Sequence, residues 1–155
     1  MISLHYEQRE NAGQAERHWA IVKKISTLTA DRSRGVVAAL LALSWLGLFA
    51  HNSIELPSLN LLSPENSLPA LVAVLLFVGW WVLPTRHLAA ALLLVWGLLH
   101  LVGGAIVTVI PFNFLPFVPE QNFTHYVAHL LYGLAQLPLI WIMIQQLRRL
   151  SKAGT

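Results

Sequence analysis

The stretch THYVAHLLYGLAQLPLIWIMIQQL, Thr124 to Leu147, holds no Asp, Glu, Lys or Arg anywhere along it. At a rise of about 1.5 Å per residue it is long enough to cross a hydrocarbon core of about 30 Å. Its polar ring and amide groups near the start, His125, His129, Tyr132 and Gln136, are spaced i, i+4, i+7 and i+11, so a helix gathers them into one stripe. Lipid offers imidazole, phenol and amide groups nothing to bond with, so that stripe has to face other protein. One segment thus predicts both a membrane span and a bundle around it.

Outward from it, three more apolar runs come into view. One is led by Arg32 and Arg34 and closes on His51 and Asn52. The next starts with Ser67 as N-cap and Pro69 in the first turn, and Pro84 stops it. The third is capped by Thr85 and ended by Pro111. Between Gly35 and Leu147 the only charges are Glu55, Glu65, Arg86 and Glu120, and all are read as lying in connections. The expected fold is an all-α integral membrane protein, a four-transmembrane-helix bundle over 35–147 with spans at about 36–52, 68–84, 87–110 and 124–147. A leader, 1–34, precedes it and a basic tail, 148–155, follows. Asn122 or Thr124 is expected to cap the last helix, and Pro138 to loosen its backbone near Leu134. The Phe- and Pro-rich segment Phe112 to Phe123 reads as an irregular loop at the interface, and Trp80 and Trp81 as part of an aromatic belt.

Composition agrees. Of 155 residues 56% are hydrophobic and 11% charged, against roughly 25% charged in soluble domains. A water-soluble fold of this size has too little interior for so much apolar surface. The absence of cysteine removes disulfides, thiolate metal sites and cysteine nucleophiles. The net charge of +3 could suggest nucleic acid, but position decides otherwise. Six of the ten Lys and Arg lie before Gly35, Arg86 sits in one turn, Arg148, Arg149 and Lys152 lie in the tail, and the two other loops have none. The positive-inside rule then puts both termini in the cytoplasm, with the lipid bilayer and not nucleic acid as the partner. The long charged leader argues against a cleaved signal peptide. Within it Trp19, Val22, Ile25 and Leu28 recur every third residue beside Lys23 and Lys24, which suits either a helix lying on an anionic leaflet or one packed on the bundle.

Of seven histidines, His5, His18 and His87 read as solvated or interfacial, and four point to chemistry. Helical rise puts His100 about 19 Å above the cytoplasmic entry of its span, and His129 and Tyr132 about 7 and 12 Å below the outer end of theirs, a shared depth. His51 and His125 are expected above them. Trp96, His100, Gly103 or Gly104 and Thr108 make a polar face on the third span, and Ser44, Gly47 and His51 make one on the first. The resulting expectation is a polar seam in the outer half of the bundle. It has three readings. In the first the seam specifies packing and serves a non-enzymatic subunit or accessory protein with a membrane-protein partner or a second copy of itself. In the second, His100, His129 and Tyr132 hold a haem or chlorophyll-type pigment, or His51, His100, His125 and His129 a metal ion. In the third the histidines form a proton path in a small oligomeric transporter. No acid is placed to complete a nucleophilic triad, and no glycine loop cradles phosphate.

The strings VLPTRHLAAALLLVWGLLHLVGG, Val82 to Gly104, and THYVAHLLYGLAQLPLI, Thr124 to Ile140, resemble the YjdF-like small inner-membrane proteins of bacteria over about half the chain. The shared features are a basic inter-helix turn, a His-bearing helix ending in a glycine pair, and a later helix with an aromatic, a His and a glycine. Here these fall on Arg86, His100, Gly103, Gly104, Tyr126, His129 and Gly133. The chain departs from that pattern at Val127 and Ala128, where the family carries an acid. The resemblance implies a bacterial inner-membrane protein and is silent on mechanism.

Overall fold

The computed structural model describes Trp19, Ile21 and residues 33–56, 58–82, 85–113 and 118–153. Val22, Ile25 and Leu28 of the expected amphipathic stripe lie outside the described residues, as do Phe114 and Phe117 of the aromatic loop; Trp19 and Ile21 are helical and exposed. The chain divides into a unit Met1–Val36 and a unit Val37–Thr155. The architecture that follows is that of the second.

Regular structure among the described residues is helical throughout. Helix α1 spans Ser33–Glu55, α2 Pro64–Trp81, α3 Arg86–Leu98 and α4 Phe123–Ala153. From α3 the chain continues without interruption into a π-helical segment, Leu99–Ile106, and a 3-10 turn, Val107–Val109. Ser33–Glu55, Arg86–Val109 and Phe123–Lys152 are long and apolar enough to cross a membrane. Helix α2, with 18 residues, is not in that set, so the count of four spans turns on α2 alone.

The helix ends differ from expectation for local reasons. Helix α1 runs past Asn52 to Glu55 because Asn52 and Glu55 find partners inside the protein: Asn52 bonds Asn66 at 2.8 Å and Glu55 bonds His125 at 2.8 Å. Helix α2 begins at Pro64 rather than after Ser67, since a proline at the first helical position costs no hydrogen bond. Pro69 then falls inside the helix and leaves the Glu65 carbonyl without its usual donor. The Asn52 side-chain amide, 3.4 Å away, supplies one. The cap of α4 is Asn122, whose side-chain oxygen accepts the His125 backbone N–H at 2.8 Å. Thr85 stands at the N-cap position of α3, but without a side-chain cap hydrogen bond; its hydroxyl donates to the Gly79 and Val82 carbonyls at the end of α2.

Two halves of this unit differ in kind. Towards the α2–α3 connection the core is apolar, built from Val37, Leu41, Ala73, Trp80, Leu93, Leu139 and Met143 with their neighbours. Trp80 corrects the belt assignment: it is 1% exposed, with the Arg86 guanidinium 4.8 Å above its ring, while Trp81 alone is exposed. Towards the other end the apolar cluster shrinks to Leu48, Ala105 and Tyr132, and buried polar side chains take over. Small residues let α4 lie close against its neighbours. A Cβ on Gly47 of α1 would stand 2.5 Å from the Ala135 Cβ, and one on Gly97 of α3 2.9 Å from Ile140.

Candidate functional site

The stripe on α4 faces inward along its whole length, with His125 5%, His129 4%, Tyr132 3% and Gln136 0% exposed. Each member meets a different partner. At the lowest level Gln136 receives the Ser44 hydroxyl at 2.5 Å and donates to the Ser44 and Tyr132 carbonyls at 3.2 and 3.3 Å. One turn up, the Tyr132 hydroxyl bonds His100 Nδ1 at 2.5 Å, and the edge of its ring fills the space a Cβ on Gly104 would need, 2.8 Å away. Gly103 has only Leu99 near it, at 3.7 Å, so of the glycine pair it is Gly104 that admits the ring.

Next comes a contact between imidazoles. His129 Nε2 lies 3.0 Å from His51 Nε2, and His129 Nδ1 lies 3.1 Å from the Gly104 carbonyl, which also accepts from the Thr108 hydroxyl. His51 Nδ1 lies 3.1 Å from Asn52 Oδ1. Asn52 donates to Asn66 Oδ1, and Asn66 donates to the Asn60 carbonyl, both at 2.8 Å. The string thus ties α1 to α2, α3 and α4. At the top His125 Nδ1 donates to Glu55 Oε2 at 2.8 Å, its ring 4.3 Å from that of His129, and His125 Nε2 has no hydrogen-bond partner among the described residues. A cleft of about 490 Å³ opens here, lined by His51, Glu55, Glu120, His125, His129 and Tyr132 among others.

Several expectations change. His51 is not above the other histidines but level with His129 and bonded to it. His100 bonds Tyr132 rather than His129, and the Tyr132 ring centroid lies 5.9 Å from that of His100 and 5.2 Å from that of His51. Glu55, assigned to a loop, ends α1 and orients an imidazole. Among the described residues no three His, Cys, Asp or Glu side chains are placed to share a metal ion, so His51, His100, His125 and His129 form no common ligand set here. Beside His100 lies a cavity of about 10 Å³ between Ser44, Trp45, Trp96 and their neighbours, space for about one water.

No family model matches the chain. No curated protein and no solved structure matches it either.

Asn52 and Asn66, buried and mutually bonded, were not singled out in the sequence, nor was Glu55 as part of the seam. A signal for Glu55 was present: Ser44, His51 and Glu55 stand at i, i+7 and i+11, the spacing that makes one face of α4 from His125, Tyr132 and Gln136. Asn52 and Asn66 follow no such period.

Proposed function

We propose that this chain is a non-enzymatic, multi-pass protein of a bacterial cytoplasmic membrane, a subunit or accessory protein whose outer-half seam locks the spans together and whose cleft receives a side chain or loop of a membrane-protein partner. The observation that carries this reading is the run of buried side-chain hydrogen bonds between helices below the cleft. Gln136 bonds both the hydroxyl and the carbonyl of Ser44, and Tyr132 bonds His100 Nδ1, contacts between helices that suit a packing device. At the top, His125 Nε2 has no partner among the described residues, and Glu55 and Glu120 give the cleft an acidic rim. Such a rim suits a basic or hydrogen-bond-donating segment.

The fourth span belongs to the same proposal. Leu68, Leu71, Val74, Leu75 and Val78 leave a broad apolar face of α2 exposed, a face suited to lipid. With α2 crossing, both termini share one side, and the positions of Lys and Arg favour the cytoplasmic side. The YjdF-like resemblance is consistent with this assignment, and three of its positions, His100, Gly104 and His129, are seam residues. His100 Nδ1 is taken by the Tyr132 hydroxyl, and His129 by His51 and the Gly104 carbonyl, which favours packing over a pigment held by these two histidines.

Blue-native electrophoresis of membranes from the producing cell, with the chain tagged at its own locus, tests the partner. The expected result is a band well above the 17.3 kDa chain that collapses when Thr108→Trp fills the cleft. A band at the size of the chain alone, with the protein folded, overturns the partner reading. Purification in mild detergent provides the complementary check: a Soret band, or stoichiometric metal lost in His129→Ala, would replace the accessory role with a cofactor site.

A further inference from the structure

Hydrogen-bond arithmetic along the top of the seam does not close, and the deficit identifies a ligand. The string runs from one backbone carbonyl to another: Asn60 carbonyl, Asn66, Asn52, His51, His129, Gly104 carbonyl. Those six groups make five contacts. A backbone carbonyl can only accept. Each primary amide placed between two neighbours in this way offers its oxygen to one and its nitrogen to the other, and each neutral imidazole offers one N–H and one lone pair. The four interior groups therefore supply four donors for five contacts. Turning either amide over, or exchanging the tautomer of either imidazole, moves the empty contact along the string without removing it.

We infer that His51 and His129 hold one additional proton between their Nε2 atoms, taken up from the bulk aqueous phase through the cleft, so that the seam is a proton-binding site carrying one positive charge. The 3.0 Å separation of the two Nε2 atoms is that of an N–H hydrogen bond to nitrogen. With that proton in place all five contacts have a donor: both Nδ1–H groups point outward to Asn52 Oδ1 and the Gly104 carbonyl, and the shared proton joins the rings. The charged and titratable groups around the pair come from every packed element. Glu55 ends α1 and reaches the pair through His125, whose ring is 4.3 Å from that of His129. Glu120 lines the cleft from the connection before α4. Tyr132 of α4 lies against His51 from below, with His100 of the π-helical segment behind it. Helix α2 contributes Asn66 and the Glu65 carbonyl, which are neutral acceptors. Within that shell the carboxylate of Glu55 is the counter-charge that a buried imidazolium needs.

This inference rests on the seam being internal and deepens that reading by naming what the seam binds. The test is nitrogen NMR of histidine-labelled protein in lipid nanodiscs at about pH 8, where solvated imidazoles, with ordinary pKa near 6.5, are neutral. The expected result is one imidazolium per chain with both ring nitrogens protonated, absent from folded Asn52→Leu and folded His129→Phe. Either substitution leaves as many donors as contacts. Asn52→Leu separates one amide contact from two imidazole contacts, and His129→Phe leaves three groups and three contacts. All seam imidazoles neutral in the wild type overturns the inference while the packing reading stands. An imidazolium that survives in His129→Phe and disappears in Glu55→Gln belongs to His125 and overturns it equally. If Asn52→Leu does not fold, His129→Phe decides alone. Failure of the packing reading would look different: His129 and His51 would be modified by lipid-phase reagents in the wild type.

Discussion

Gln136 and Gly104 show how much of this bundle depends on single residues. Gln136 is fully buried and joins α4 to α1 through the Ser44 hydroxyl and carbonyl. Gln136→Leu keeps the volume and strands Ser44, and should cost about 1–2 kcal/mol, read as a lowered unfolding midpoint in detergent; an unchanged midpoint would show that the contact carries no net stability. Gly104→Ala drives a methyl group to within 2.8 Å of the Tyr132 ring and should cost about 1–3 kcal/mol by overpacking. Gly103→Ala meets only Leu99 at 3.7 Å and should be close to neutral. Equal effects from the two alanines would refute the register assigned to the π-helical segment. These side chains were readable in the sequence because polar atoms in a membrane run have only each other, so spacing on one helix reveals the face. What spacing does not reveal is which groups meet. His100 was expected opposite His129, and the Tyr132 ring, longer than an imidazole, reaches His100 instead.

At the level of elements, the four helical segments were legible from runs without charge, and their ends were not. Glu55 is a charge that stays on its helix because His125 waits across the gap. Pro69 is a proline that stays inside because Asn52 supplies the donor its neighbour lacks. Both depend on a partner far along the chain, and no local rule reads that. The π-helical segment Leu99–Ile106 was equally invisible; it carries His100 and Gly104, two positions that meet Tyr132, in keeping with the tendency of widened turns to fall at such places. The status of α2 can be settled by position. The chain lacks cysteine, so single cysteines report without background. With α2 crossing, cysteines at Ser58 and Glu120 should react with an impermeant maleimide in intact cells, and those at Thr85 and Ser151 only after permeabilisation. If Ser58 and Thr85 label from the same side, α2 does not cross and the termini lie on opposite faces.

For the molecule as a whole, the division of labour between the two ends is the main result. An apolar core around Leu93, Leu139 and Met143 holds one half, with the Arg86–Trp80 stack at its edge. The other half exchanges apolar burial for a ladder of polar contacts that rises from Ser44 and Gln136 to the cleft. Apolar packing gains little inside a bilayer, where lipid is as apolar as leucine, so a ladder that only the correct arrangement completes is a means of fixing which faces meet. That ladder needs α1 and α4 to be bridged through their imidazoles, and the bridge can be measured. Scalar coupling between the ¹⁵N nuclei of His51 Nε2 and His129 Nε2 passes through a hydrogen bond and through nothing else in this arrangement. A resolved coupling that disappears in His51→Phe is the predicted result; its absence in the folded wild-type protein, at both acidic and neutral pH, would contradict the account.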